Sequence, residues 1–61
     1  MKYRVVIGDP FGGHACVKAN LDKEEADRIE AIEVLNADYF TSVLVVEDDD
    51  RLFKHLIPME T

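Results

Sequence analysis

Asp22–Asn36, DKEEADRIEAIEVLN, is the stretch whose reading decides the fold. It is long enough and periodic enough to be a helix, and the segments around it alternate as strands do. Asp22 stands at the N-cap, where its carboxylate can accept from the free N–H groups of the first turn. Glu25 occupies the position of a capping-box partner, and Leu21 and Ala26 those of a hydrophobic staple. Asp22, Glu24, Glu25 and Asp27 place negative charge at the positive end of the helix dipole. At about 100° per residue, Ile29, Ala31, Ile32 and Leu35 gather on one broad stripe, the expected core face. Asp27, Glu30 and Glu33 fall opposite, with Lys23 among them and Ala26 and Val34 set inside this acidic face. Asn36 is the expected stop, because Asn tolerates the left-handed conformation.

Upstream, Lys2 to Gly8 alternates, with Tyr3, Val5 and Ile7 to one side and Lys2, Arg4 and Val6 to the other. Residues 8–13, GDPFGG, are dense in turn formers. His14 to Leu21 alternates again, with Ala15, Val17, Ala19 and Leu21 on one face. The two runs predict a hairpin with a longer loop. Downstream, Tyr39 to Glu47, YFTSVLVVE, is a strand signal rich in aromatic and β-branched residues. Phe40, Leu44 and Val46 are expected to face the helix, and Tyr39, Thr41, Val43 and Val45 to face away. A right-handed crossover makes strands 2 and 3 parallel, with strand 1 antiparallel between them. The predicted fold is therefore α+β, in the order β-β-α-β. It has a three-stranded antiparallel sheet of order 2-1-3, one helix on one face and a short C-terminal extension.

That arrangement leaves a second sheet face carrying Val6, Cys16, Val43 and Val45 beside Arg4 and Lys18. Either the tail or a second molecule must cover it. In the tail, Arg51 to Ile57, RLFKHLI, has apolar pairs at helical spacing, with Asp49 or Asp50 as a cap and Pro58 as a stop. A fourth strand is the alternative, and Met59, Glu60 and Thr61 are expected to fray.

Sixty-one residues make one domain, and a chain of this length buries only about 60% of the surface its unfolded form exposes. Such domains lean on disulfides, metals or self-association. Cys16 is the single cysteine, so an internal disulfide is excluded and a reducing, cytoplasmic setting is the default. Self-association is then the expected support, with Val6, Val43 and Val45 as the dimer interface. The opening MKYRVVIGDP is too short in apolar residues for a signal peptide, and no stretch has membrane-spanning length. Thirteen acidic against seven basic residues give a net charge of −6. That sign opposes direct contact with nucleic-acid phosphates and favours a protein partner with a basic surface.

Catalytic and metal chemistry find little footing. Gly8, Gly12 and Gly13 follow a strand, but their spacing fits neither phosphate-loop pattern and no helix follows them. His14 and Cys16 share a strand face, with Asp9 and His55 as remote additions, which leaves a zinc set incomplete. Cys16 lacks a motif for a nucleophile and reads as a small buried hydrophobe. The run Glu47-Asp48-Asp49-Asp50 lacks the alternating ligands and glycine of a calcium loop. No catalytic residue, metal site or cofactor is expected. Phe11 at the tip of a turn is the more telling residue, since it either folds onto the core or meets a partner. The expected partner-binding set is Phe11, Asp27, Glu30, Glu33, Val34, Asp48, Asp49 and Asp50. If the acids of the helix and of residues 47–50 lie on one side, they form a row of charges that could imitate a DNA backbone.

The layout KYRVVIGDPFGGHACVKANL, DKEEADRIEAIEVLN and YFTSVLVVEDDD resembles the tiny hairpin–helix–strand proteins often encoded by bacteriophages and mobile elements. The likeness is architectural and spans about residues 2 to 50. It implies a protein that binds and modulates a host enzyme, regulator or defence component in the host cytoplasm. The function expected from the sequence is thus that of a small acidic, non-enzymatic inhibitor or modulator, with DNA mimicry as its sharpest form. The alternative is a self-associating structural or accessory subunit.

Overall fold

In the computed structural model, which describes residues 1–59, β1 (Tyr3–Gly8), β2 (His14–Leu21), α1 (Lys23–Asn36) and β3 (Ser42–Glu47) follow one another. The sheet order is β2-β1-β3, with both neighbours antiparallel to β1. β2 and β3 therefore run parallel, as expected. Tyr3 pairs with Leu21 and Glu47, and Gly8 pairs with His14 and Ser42. One end of the sheet thus gathers the 9–13 loop and the chain entering β3, and the other gathers the helix start and the acidic run after β3.

The core lies between α1 and the odd-numbered side chains of β1. Val5, Val17, Leu21 and Ala26 form its buried cluster, and Tyr3, Ile7, Ile29, Val43 and Val45 pack against it. Burying side chains of this size contributes roughly 1.5–3 kcal/mol each. Leu21 and Ala26 close the staple read from the sequence. Ala26 is the buried residue of the helix, and its methyl group lets the helix approach the sheet closely.

The helix is rolled relative to the expected stripe. Ala26, Ile29, Glu30 and Glu33 turn inward, while Ile32 is 51% and Leu35 85% exposed. The spacing explains the error. A row of residues three apart drifts by about 60° per step, so the row Ala26-Ile29-Ile32-Leu35 winds from the sheet to the opposite side. Asp22 does not cap the helix with its side chain. Its carboxylate accepts from Lys2 Nζ at 2.9 Å instead. Nor does the helix end on a left-handed Asn36, because Ala37 simply leaves in an extended conformation.

β3 also departs from expectation. It begins at Ser42, and Tyr39 and Phe40 belong to a turn. Asp38 organises that turn, its Oδ1 accepting from Phe40 N–H at 2.9 Å and from the Thr41 hydroxyl at 2.8 Å. The register Val5 to Val45 and Ile7 to Val43 then puts Val43 and Val45 on the helix side, and Leu44 and Val46 on the other. Val6, Val43 and Val45 therefore do not share the dimer face expected of them. Val6 is fully buried on the opposite side.

The tail covers that opposite side. Residues 51–57 are neither a regular helix nor a strand but a succession of turns. Asp50 starts them as a cap, accepting from Leu52 N–H at 2.9 Å through its side chain and from Lys54 N–H at 2.8 Å through its carbonyl. Arg4 holds them down. It is 6% exposed, and its guanidinium donates to Asp48 Oδ1 at 3.1 Å, Phe53 O at 2.8 Å and Leu56 O at 3.0 Å. Met59 does not fray, since its N–H donates to Cys16 O at 2.8 Å. The expected fraying of Glu60 and Thr61 lies outside the described residues. Cys16 is sealed beneath at 1% exposure, and loss of water around it pushes its thiol pKa up.

Removing Arg4 strands two carbonyls and the Asp48 carboxylate. Arg4→Ala is expected to lower the free energy of unfolding by about 3 kcal/mol, discounted for the partial exposure of Asp48. Urea unfolding checks this value. Alkylation of the Cys16 thiol under native conditions is expected to accelerate in the same variant, because the tail no longer seals it.

Candidate functional site

The core leaves three of the five aromatic rings unused. Phe11 is 95%, Tyr39 94% and Phe40 65% exposed. The ladder brings all three to one end of the molecule, because Gly8 pairs with both His14 and Ser42 and so draws the two loops together.

Each loop is fixed by an aspartate. Asp9 Oδ1 accepts from Phe11 N–H at 2.9 Å and Gly13 N–H at 3.0 Å, and Asp9 N–H donates to Gly13 O at 2.9 Å. Gly12 adopts φ +90°, a conformation in which a Cβ would be strained. The loop is thus a tight, internally bonded turn that holds Phe11 away from the core. In the second loop Tyr39 and Phe40 pack edge to face, with centroids 5.3 Å apart. Two directed hydrogen bonds, from the Thr41 hydroxyl first and the Phe40 N–H second, hold the Asp38 carboxyl below the usual carboxylate range. Between the loops lies a shallow groove of about 260 Å³ lined by Ile7, Gly8, Asp9, His14 and Thr41 among others. That volume is below the usual range for a small-molecule pocket.

The same end holds the negative pole of the helix dipole. α1 terminates here, and its last turn carries no basic residue to offset the negative end of its dipole. From Ile29 to Ser42 the chain adds Glu30, Glu33 and Asp38 with no Lys, Arg or His, while Glu47, Asp48, Asp49 and Asp50 belong to the far end.

The residues singled out from the sequence divide. Phe11, Glu33 and Val34 lie toward the aromatic end, where Val34 is 56% exposed and Glu33 half-buried. Glu30 is also half-buried, against the sheet side of the helix. Asp27 lies nearer the helix start and accepts from Lys23 Nζ at 2.7 Å. Asp48, Asp49 and Asp50 sit at the far end. Asp48 is bound to Arg4 and also accepts from Asn20 N–H, and Asp50 caps the tail. Asp49 is exposed. The acids therefore do not form one free row. Asp22, Glu24, Asp27 and Asp48 each have a cationic neighbour within 4.0 Å. Tyr39, Phe40 and Leu35 went unrecognised in the sequence as surface residues. The signal was Asp38 followed by Thr41, an aspartate turn that delays the start of the strand to Ser42.

Among the described residues no cluster of three or more His, Cys, Asp or Glu side chains could hold a metal ion. No helix there is long and apolar enough to cross a membrane. Comparison with protein-family models, with curated proteins and with solved structures finds no match.

Two outcomes test whether this end is surplus to folding. Phe11→Ser is expected to change the unfolding free energy by less than about 0.5 kcal/mol, whereas Leu21→Ala should cost about 2–5 kcal/mol. Chemical denaturation of both variants checks the contrast. Asp22 is held low by the Lys2 hydrogen bond, and Asp38 by Thr41 and Phe40. A depressed folded pKa stabilises above the unfolded value and loses that contribution as pH falls through the folded one. Stability is therefore expected to decline below about pH 4, the unfolded carboxylate range. Asp38→Asn should show a shallower decline in acid denaturation followed by circular dichroism.

Proposed function

We propose that the protein is a small acidic binding module that engages a basic surface on another protein without catalysing a reaction. The single observation that carries this reading is the exposure of Phe11, Tyr39 and Phe40 at one end of the sheet. Rigid aromatic side chains on well-bonded loops are suited to be anchors, because they offer a large contact area at small entropy cost. The negative end of the helix dipole, with Glu33 and Asp38 near it, favours a cationic partner, and aromatic faces also attract Arg and Lys. Inhibition or modulation of a host protein is one use of such a module. A DNA-like charge row is the less favoured form, because four carboxylates of that row are already paired with cations.

The test is capture of a partner from a cell lysate by the immobilised protein at low and at high salt. Three proteins are compared: the unaltered chain, Phe11→Ser/Tyr39→Ser and Glu33→Lys. The unaltered chain is expected to retain a basic protein that high salt releases. The aromatic double variant should lose at least about tenfold in affinity, the scale of an anchor residue. The charge reversal should slow association and reduce the dependence on salt. Equal retention by all three proteins would overturn the reading.

A further inference from the structure

We infer that the open edge of β3 receives an extended basic segment of the partner, which adds a fourth strand to the sheet. This rests on the proposed basic partner and names how that partner is held. The two edges of the sheet differ sharply. β2 is an irregular edge with two shifts in its register against β1, and Asn20 there has φ +58°. The wide pairing of Cys16 with Val6 turns the Cys16 carbonyl outward, and Met59 N–H already takes it at 2.8 Å. Bulges and a covering segment are the devices by which sheets block an edge.

β3 has none of them. Its register runs unbroken from Ser42 to Glu47, and SVLVVE holds no proline and no lysine. Asp48 N–H donates to Lys2 O at 2.9 Å, which fixes the even-numbered residues as those bonded to β1. By the alternation of an antiparallel ladder, Val43 and Val45 turn their N–H and C=O groups to the open edge, as Glu47 does its N–H, while the Glu47 carbonyl accepts from Asp50 N–H at 3.0 Å. Strand addition uses such groups for affinity and alternate side chains for selectivity. Leu44 is 38% exposed on the tail side of β3 and offers contact to apolar residues of an added strand. Glu47, on the helix side, offers contact to a basic one. Charge selects the occupant. A second copy would bring another net charge of −6 and another acidic stretch to this edge, whereas a cationic strand would neutralise it.

The probe is a synthetic ten-residue peptide of alternating Lys and Val, with an alternating Glu and Val peptide as control. Amide hydrogen exchange of the unaltered protein is followed by NMR. On addition of the Lys-Val peptide, the Val43, Val45 and Glu47 amides are expected to slow by at least about tenfold, with His14 and Cys16 unchanged. The control peptide, and a Lys-Val peptide methylated on alternate backbone nitrogens, should give no slowing. Val45→Pro removes an outward donor and should weaken the effect. If that variant fails to fold, the methylated peptide still decides. Binding of the Lys-Val peptide without slowing at β3 would overturn strand addition and leave the basic-partner reading standing. No binding at all would overturn strand addition by this class of segment, while the lysate capture decides the basic-partner reading separately. Slowing that rises with protein concentration alone, with a doubled mass in light scattering, would overturn it in favour of a second copy.

Discussion

The Arg4 guanidinium is the interaction on which the rest of the structure depends. It sits in the central strand, almost wholly removed from water, and a buried cation must be paired and hydrogen-bonded. Its three partners are Asp48, Phe53 O and Leu56 O, all contributed from beyond the end of β3. Satisfying Arg4 therefore requires the tail to close over the second face of the sheet. That closure seals Val6 and Cys16, and the chain then reaches Met59 and ties the outer edge of β2. A chain with one helix and three strands gains its third layer by bonding carbonyls of an irregular segment to one charge.

The same closure makes the molecule asymmetric. Asp48 also accepts from Asn20 N–H, so the left-handed residue in β2 is bonded to the group that pairs with Arg4. Irregularity and charge pairing accumulate on the β2 side and at the helix-start end, and the tail runs from there across the sheet to pack Phe53 against His14. β3 is left a regular edge, and the opposite end keeps exposed apolar side chains. In a small domain, free surface of this kind is defined as much by what the fold has already used as by what remains exposed.

Much of the architecture was legible because short-range rules carried it. The GDPFGG turn, the Leu21–Ala26 staple and two alternating runs determine the hairpin and helix, and the crossover rule then orders the sheet. Facing was not legible, for two separate reasons. In α1 the row Ile29-Ile32-Leu35 looks like a stripe, but its three-residue spacing drifts around the cylinder, and the staple at Ala26 sets the roll. In β3 the parity hung on where the strand begins. Asp38 draws Phe40 and Thr41 into a turn, so the apolar pair expected to continue the strand is left in solvent. The face carrying Arg4 was expected to need a cover, but the carbonyls of Phe53 and Leu56 that bond it come from an irregular segment that periodicity does not place. Of the expected site, Phe11 was visible from turn chemistry alone. The acidic row was overestimated, since pairing with Lys2, Arg4, Lys23 and Arg28 depends on geometry that spacing does not supply.

The weak segregation of the helix carries the last step. Its inward side offers only Ala26 and Ile29 as apolar contacts, beside the stems of Glu30 and Glu33. Such a helix is not held chiefly by its own stripe, as most surface helices are. It is held at its ends, by Leu21 and Ala26 at the start and by the Asp38 turn beyond its close. Ile32, Val34 and Leu35 then stand outside the folding requirement, in the same half of the helix that leads to Tyr39 and Phe40. A sequence shaped only by folding would place polar residues there at almost no cost in stability. That apolar residues occupy these positions, beside a regular strand edge, is what supports the proposed recognition role of the exposed end.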